Sequence, residues 1–158
     1  MRYVLIDRIT SIDPGRTIAA LKNVAAGDGL VTQYSSDLWA LPPAMLLETM
    51  AQAAGLLVAS TIHFRAQPVL AKVQPFAADR LAVPGDQVLL HAELCELRDA
   101  GCRTHATARV GLTLLAEATI FLALVPLDER GRREQLRAHM ARLFPGWFGE
   151  PAAAEVLP

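Results

Sequence analysis

From Pro42 to Ser60 the chain carries a single charged side chain, Glu48. Proline is tolerated in a first helical turn, whose N–H groups lack intrahelical partners. Ala44 to Ser60 then contains no proline and is rich in Ala, Leu and Met, which are good helix formers. The segment is apolar on nearly every face, so it reads as a helix buried on most sides and not as an amphipathic surface helix. Such a helix needs a shell, and the rest of the sequence must supply it.

The flanking segments read as that shell. Tyr3–Ile12 mixes β-branched and aromatic residues and ends at the turn signal Asp13-Pro14-Gly15. Arg16–Val24 reads as the returning strand, broken by Gly27-Asp28-Gly29. Leu30–Ala40, centred on Ser35-Ser36-Asp37, reads as irregular. After the helix come strand-like runs at Pro68–Phe76, Gln87–Leu97, Arg103–Leu114 and Ala116–Val125. Val83-Pro84-Gly85-Asp86 and Asp99-Ala100-Gly101 punctuate them. Two strands, one long apolar helix and a meander predict an α+β fold: an antiparallel sheet wrapped around a central helix. A helix laid flat on an open sheet is the alternative, and the all-round apolar character favours wrapping.

Beyond Pro126 the composition changes. Asp128–Leu143 is charged and helix-prone, with Arg132, Arg133, Arg137 and Arg142 expected on a solvated face. The expected organisation is residues 1–126 as the main domain and 127–158 as a short C-terminal helical extension. Phe144-Pro145-Gly146-Trp147-Phe148 is expected to dock on the body or on a partner, and Ala152–Pro158 to fray.

Composition narrows the function. Fifty-three per cent apolar and 20% charged residues support a packed core and argue against disorder. A net charge of −1 without a dense Lys/Arg cluster gives no electrostatic reason to expect nucleic acid or an anionic membrane. The longest apolar stretch, Ala51–Ile62, is interrupted by Gln52 and is too short to span a bilayer. The N-terminus meets charge before a signal-peptide core could form, so the chain reads as cytoplasmic. Cys95 and Cys102 flank a turn and could face each other, but a reducing compartment argues against a disulfide. His63, His91, His105 and His139 are scattered, so no metal site is expected. No glycine-rich phosphate motif implies a nucleotide cofactor.

Glu48 is the residue to explain. A carboxylate in an apolar helix is costly unless paired or protonated, and burial would raise its pKa towards the range of a general acid or base. The other reading places it in a water-filled groove or paired with Arg8 or Lys22. Gln52 lies one turn later on the same face, able to orient Glu48 or a ligand carbonyl, or to serve as a satisfied core amide.

The run Leu41-Pro42-Pro43-Ala44-Met45-Leu46-Leu47-Glu48-Thr49-Met50-Ala51-Gln52-Ala53-Ala54-Gly55 resembles the helix motif of β-hydroxyacyl-acyl-carrier-protein dehydratases. That motif reads Met-Pro-Gly, four residues, Glu, then Ala-Gln-Ala-Ala-Gly. Leu5-Ile6-Asp7-Arg8, Pro14-Gly15-Arg16, Ala20-Leu21-Lys22-Asn23-Val24, Val83-Pro84-Gly85-Asp86-Gln87 and Ala116-Glu117-Ala118 agree in order and spacing. The resemblance covers about residues 2–125 and implies the hot-dog fold, a dimer, and acyl carrier protein or CoA thioesters as partners. It implies a histidine base, a carboxylate acid from the other subunit, and a glycine N–H that polarises the thioester carbonyl.

Only one of these three groups is kept. Counting back from Leu41 puts Tyr34 at the histidine position, and a phenol titrating near 10 is a poor base at neutral pH. Pro43 stands at the glycine and has no N–H. Glu48 matches the carboxylate; Asp37 and His63 are substitute bases that no spacing recommends. Gln52, Pro43 and Ala44 would line the substrate. Three functions follow as expectations: a dehydratase-like partner subunit completing a site in a heterodimer, a homodimeric thioesterase using Glu48, or a non-catalytic acyl-binding module.

Overall fold

The computed structural model describes residues 4–27, 29–127 and 130–149. Six strands form one antiparallel sheet in the order β1-β2-β6-β7-β8-β5, and β3 and β4 form a separate hairpin. The strands are β1 (Arg8–Asp13), β2 (Thr17–Asn23), β3 (Thr32–Ser35), β4 (Leu38–Ala40), β5 (Ala66–Ala78), β6 (Gln87–Arg98), β7 (Gly101–Val110) and β8 (Thr113–Pro126). The helices are α1 (Pro43–Thr61) and α2 (Arg130–Leu143). The expected wrapped sheet is present, with α1 packed against β2, β5, β6, β7 and β8.

Side-chain size explains how the helix fits. The buried positions of the central strands include Ala92 on β6, Ala106 and Ala108 on β7, and Ala116 and Ala118 on β8. These small side chains leave room for Leu46, Met50, Leu57 and Val58 of α1, all 2% exposed or less. Alternating large and small residues fill an interior to crystal-like density. By length and composition α1 could cross a bilayer, but most of its surface is buried within the fold.

The middle and the C-terminal end of α1 are tied to the amino-terminal segment. Leu5 N–H donates to Gln52 Oε1 at 2.9 Å, and Gly15 N–H donates to Thr61 Oγ1 at 2.7 Å. Gly15 has φ +83°, which a glycine adopts without strain in the β1–β2 turn.

Several boundaries differ from expectation. Val4–Asp7 is not strand: Leu5 and Ile6 are buried, and pairing begins at Arg8. Leu30–Ala40 is not irregular but carries the β3–β4 hairpin, with Gln33 opposite Trp39. The break between the last two strands falls at Gly111-Leu112, not near Leu115, because Gly111 takes φ +54° and lets the chain reverse. Cys95 and Cys102 do not face each other: Cys102 is buried opposite Leu97, and Cys95 is exposed at a register shift.

The C-terminal segment packs on the body. Met140, Phe144 and Phe148 join the core, and Phe148 meets Phe64 edge-to-face at 5.5 Å. Arg132 and Arg142 are exposed as expected, whereas Arg133 and Arg137 are half-buried. The expected frayed end, Ala152–Pro158, lies outside the described residues.

Candidate functional site

The sheet does not close over all of α1. Ala44 and Glu48 are exposed, Leu47 and Gly55 are half-buried, and these positions share one strip on the helix. Glu48 is therefore not the buried carboxylate that the helix composition suggested. Composition reports how apolar a helix is; where the sheet stops is a tertiary property.

Glu48 is nevertheless held. Gln52 Nε2 donates to Glu48 Oε1 at 3.0 Å, across one helical turn. Gln52 itself is only 6% exposed, and its Oε1 is taken by the Leu5 N–H. A backbone donor at one end of the amide fixes which end carries NH₂, so a donor must point at Glu48. Gln52 thus serves in both roles considered for it: a satisfied core amide and the group that orients the carboxylate. The two cations considered as partners do otherwise or stand elsewhere. Lys22 lies 3.9 Å from Asp7, and Arg8 is exposed on β1.

The helix entry lies one turn before Glu48. Leu41 N–H donates to Ala82 O at 2.8 Å, and Pro42 O accepts from both Met45 and Leu46 N–H, at 2.9 and 3.0 Å. Pro43 has no N–H to offer. The first free donor is Ala44 N–H, which makes no hydrogen bond among the described residues. It sits at the positive end of the helix dipole, roughly 6 Å along the axis from Glu48 at 1.5 Å per residue. Ala44, Glu48 and Gln52 thus follow one another at four-residue spacing: a helix-end donor, a carboxylate and its support.

Tyr34 belongs to a different element. It lies at the register shift of the β3–β4 hairpin, 47% exposed, beside exposed Leu38 and Trp39. Asp37 is in the hairpin turn. No histidine stands beside Glu48. His63 follows the far end of α1, fifteen residues on and roughly 22 Å along the axis. His91 and His105 alternate with the buried residues of β6 and β7, so they face away from α1, and His139 is on α2. Among the described residues no three His, Cys, Asp or Glu side chains gather in a way that could hold a metal ion.

Comparison with known proteins decides the family. The chain is 30% identical over 128 residues to the 3-hydroxyacyl-[acyl-carrier-protein] dehydratase FabZ of Listeria innocua, covering 80% of this chain and 89% of that one. It is 34% identical over 124 residues to the FabZ of Symbiobacterium thermophilum, covering 78% and 87%. The chain belongs to the FabZ dehydratase family. No family model matches it. Among solved structures, a Streptococcus mutans protein bound to acetyl CoA superimposes with TM-score 0.67 at 15% identity, covering 82% of this chain and 96% of that one. The conserved protein PA5202 of Pseudomonas aeruginosa gives TM-score 0.58 at 20% identity, covering 75% and 87%. These likenesses establish the hot-dog fold for this dehydratase relative.

Proposed function

We propose that this FabZ relative is a dehydratase-like subunit that supplies Glu48 to a site whose base comes from a second, related chain. The substrate is a 3-hydroxyacyl thioester on acyl carrier protein or coenzyme A. The observation that carries this reading is the arrangement of Glu48: exposed, held by Gln52, one turn from the Ala44 N–H, with no histidine beside it.

In such a site the partner's base removes the proton α to the thioester carbonyl. Glu48 acts as the acid: its carboxyl hands a proton to the departing 3-hydroxyl, which leaves as water, the double bond forms between the α and β carbons, and the proton held by the base then passes through solvent back to Glu48. Gln52 acts as a positioning residue, because its amide is itself fixed by Leu5. Ala44 N–H takes the role that Pro43 cannot fill, donating to the thioester oxygen as negative charge develops there. Tyr34, on the hairpin, contacts substrate, and the base comes from the partner.

The seam for a second subunit is β5. It is the last strand of the sheet, thirteen residues long, and exposes Val69 and Leu70. An edge strand that exposes apolar side chains is a template for pairing with another chain, here over the regular stretch Ala66–Leu70 that precedes its two register shifts. In this reading residues 1–126 handle the thioester and 127–158 are an appended helical element. Free thiols at Cys95 and Cys102 suit a reducing cytoplasm.

The test is co-purification with a relative that carries the full histidine and glycine motif, followed by a dehydratase assay. Adding this chain is expected to raise activity, and the Glu48→Gln variant is expected to abolish the gain. Equal activity with and without the chain removes the proposal. The solvent access of Glu48 also supports a second reading, in which it activates water for thioester hydrolysis. Hydrolysis of acyl-CoA by this chain alone, lost in Glu48→Ala, would favour that reading instead.

A further inference from the structure

At the end of α1 remote from Glu48 lies a cavity of about 520 Å³, within the usual size of small-molecule sites. Its walls include His63, Arg133, Glu134, Arg137, Trp147 and Phe148. The cavity owes its floor to an uncommon backbone. His63 and Phe64, neither of them glycine, both take left-handed conformations, with φ of +53° and +56°. Two such residues in succession persist only where the surroundings enforce them. Their effect is to send Phe64 inward against Phe148 and leave His63 exposed at the cavity wall.

The two arginines are held but not neutralised. Arg133 Nε donates to the His63 carbonyl at 2.9 Å, and Arg137 Nη1 donates to the Gly149 carbonyl at 3.5 Å. Both acceptors are uncharged. Neither guanidinium is ion-paired among the described residues, although both side chains are half-buried. They lie four residues apart on α2 and so neighbour one another on one helix face. Each retains unused N–H donors, and a guanidinium fork is shaped for carboxylate or phosphate oxygens. Among the described residues Glu134 is the one carboxylate at the cavity wall, against the two guanidinium groups. Trp147 adds an indole that is 37% exposed.

We infer that this cavity binds an oxyanion attached to a flat apolar ring, of the aromatic phosphomonoester class, with Arg133 and Arg137 on the phosphate and Trp147 against the ring. Two forks are more than a single carboxylate needs, and a phosphate has three oxygens to share between them. The site is independent of Glu48 and does not rest on the proposed dehydratase role.

Calorimetric titration of the full chain at low salt with phenyl phosphate, inorganic phosphate, benzoate and benzyl alcohol tests this. Phenyl phosphate is expected to bind saturably, inorganic phosphate more weakly, and benzyl alcohol not at all. Arg133→Gln and Arg137→Gln are each expected to weaken phenyl phosphate by about tenfold or more, the loss of a charge-assisted hydrogen bond. Trp147→Ala is expected to reduce phenyl phosphate to the level of inorganic phosphate. Glu134→Gln removes the opposing carboxylate and is expected to tighten binding about three- to fivefold, a gain that misfolding cannot produce. Absence of binding by both phosphates overturns the proposal, as does unchanged affinity in the two arginine variants. Benzoate binding as tightly as phenyl phosphate overturns the phosphate assignment.

Discussion

Replacing Gln52 with leucine asks how much of the fold depends on the amide beneath Glu48. The two side chains are similar in size, so packing is largely kept while the hydrogen bonds to Leu5 and Glu48 are lost. Leu5 N–H, paired at 2.9 Å with Gln52 Oε1, would be left buried without an acceptor. An orphaned buried donor costs about 1–3 kcal/mol. The bond to Glu48 borders solvent, and its loss adds only about 0.5 kcal/mol. The extra apolar surface of leucine offsets part of this, so the net loss is about 1.5–2 kcal/mol. For a chain of 158 residues that lowers Tm by about 3–8 °C. Urea unfolding followed by far-UV circular dichroism should show a lower midpoint with unchanged slope. Glu48→Gln, at an exposed position, should change stability by no more than about 0.5 kcal/mol. If Gln52→Leu is as stable as the parent, or no less stable than Glu48→Gln, then Gln52 is not the structural anchor described here.

Three further outcomes are expected. The double variant Tyr34→His, Pro43→Gly adds a base and a second helix-end N–H beside that of Ala44; 3-hydroxyacyl thioester dehydration by the chain alone should rise by about 10² or more, and no rise would refute the reading that a base is what this chain lacks. Gly101→Ala should lower stability by about 1–3 kcal/mol in thermal melts, because a Cβ there would meet the Leu122 carbonyl oxygen at 2.8 Å. Burial raises the Cys102 thiol pKa, only partly opposed by its backbone contact with Leu122, so less thiolate is present at pH 8 than for an ordinary thiol. Iodoacetamide at that pH should label exposed Cys95 in the native protein and Cys102 only after denaturant is added, as read by mass spectrometry.

The central helix and the succession of strands along the chain were legible because α1 carries one charge in nineteen residues and the strands are bounded by Pro-Gly and Asp-Gly signals; the expected meander holds only for β6–β8, since β5 pairs with β8 and not with β6. The β3–β4 hairpin was not: Thr-Gln-Tyr-Ser and Leu-Trp-Ala are too short and mixed to show alternation. The β7–β8 turn hid in an apolar run, since Leu112 is 98% exposed at its tip and only Gly111 betrays it. At the site, Glu48 and its four-residue spacing to Gln52 could be read directly. The bond from Leu5 could not, because it spans forty-seven positions of sequence. Nor could the cavity beside Arg133 and Arg137, because its wall depends on the left-handed turn at His63 and Phe64, where no glycine signals one.

The two ends of the sheet are unequal. At one end, β1 has six residues, a register shift between Ile9 and Ser11, and charged side chains at Arg8 and Asp13. At the other, β5 is more than twice as long and exposes Val69 and Leu70, but its register with β8 shifts twice and Pro68, Lys72 and Pro75 lie along it. Bulges, prolines and charges discourage further pairing, whereas exposed apolar side chains invite it. A strand arriving at β5 finds a regular stretch only from Ala66 to Leu70, and one arriving at β1 finds less. Both borders thus work against open-ended strand addition: the irregularity of its outer strands guards the sheet against filaments.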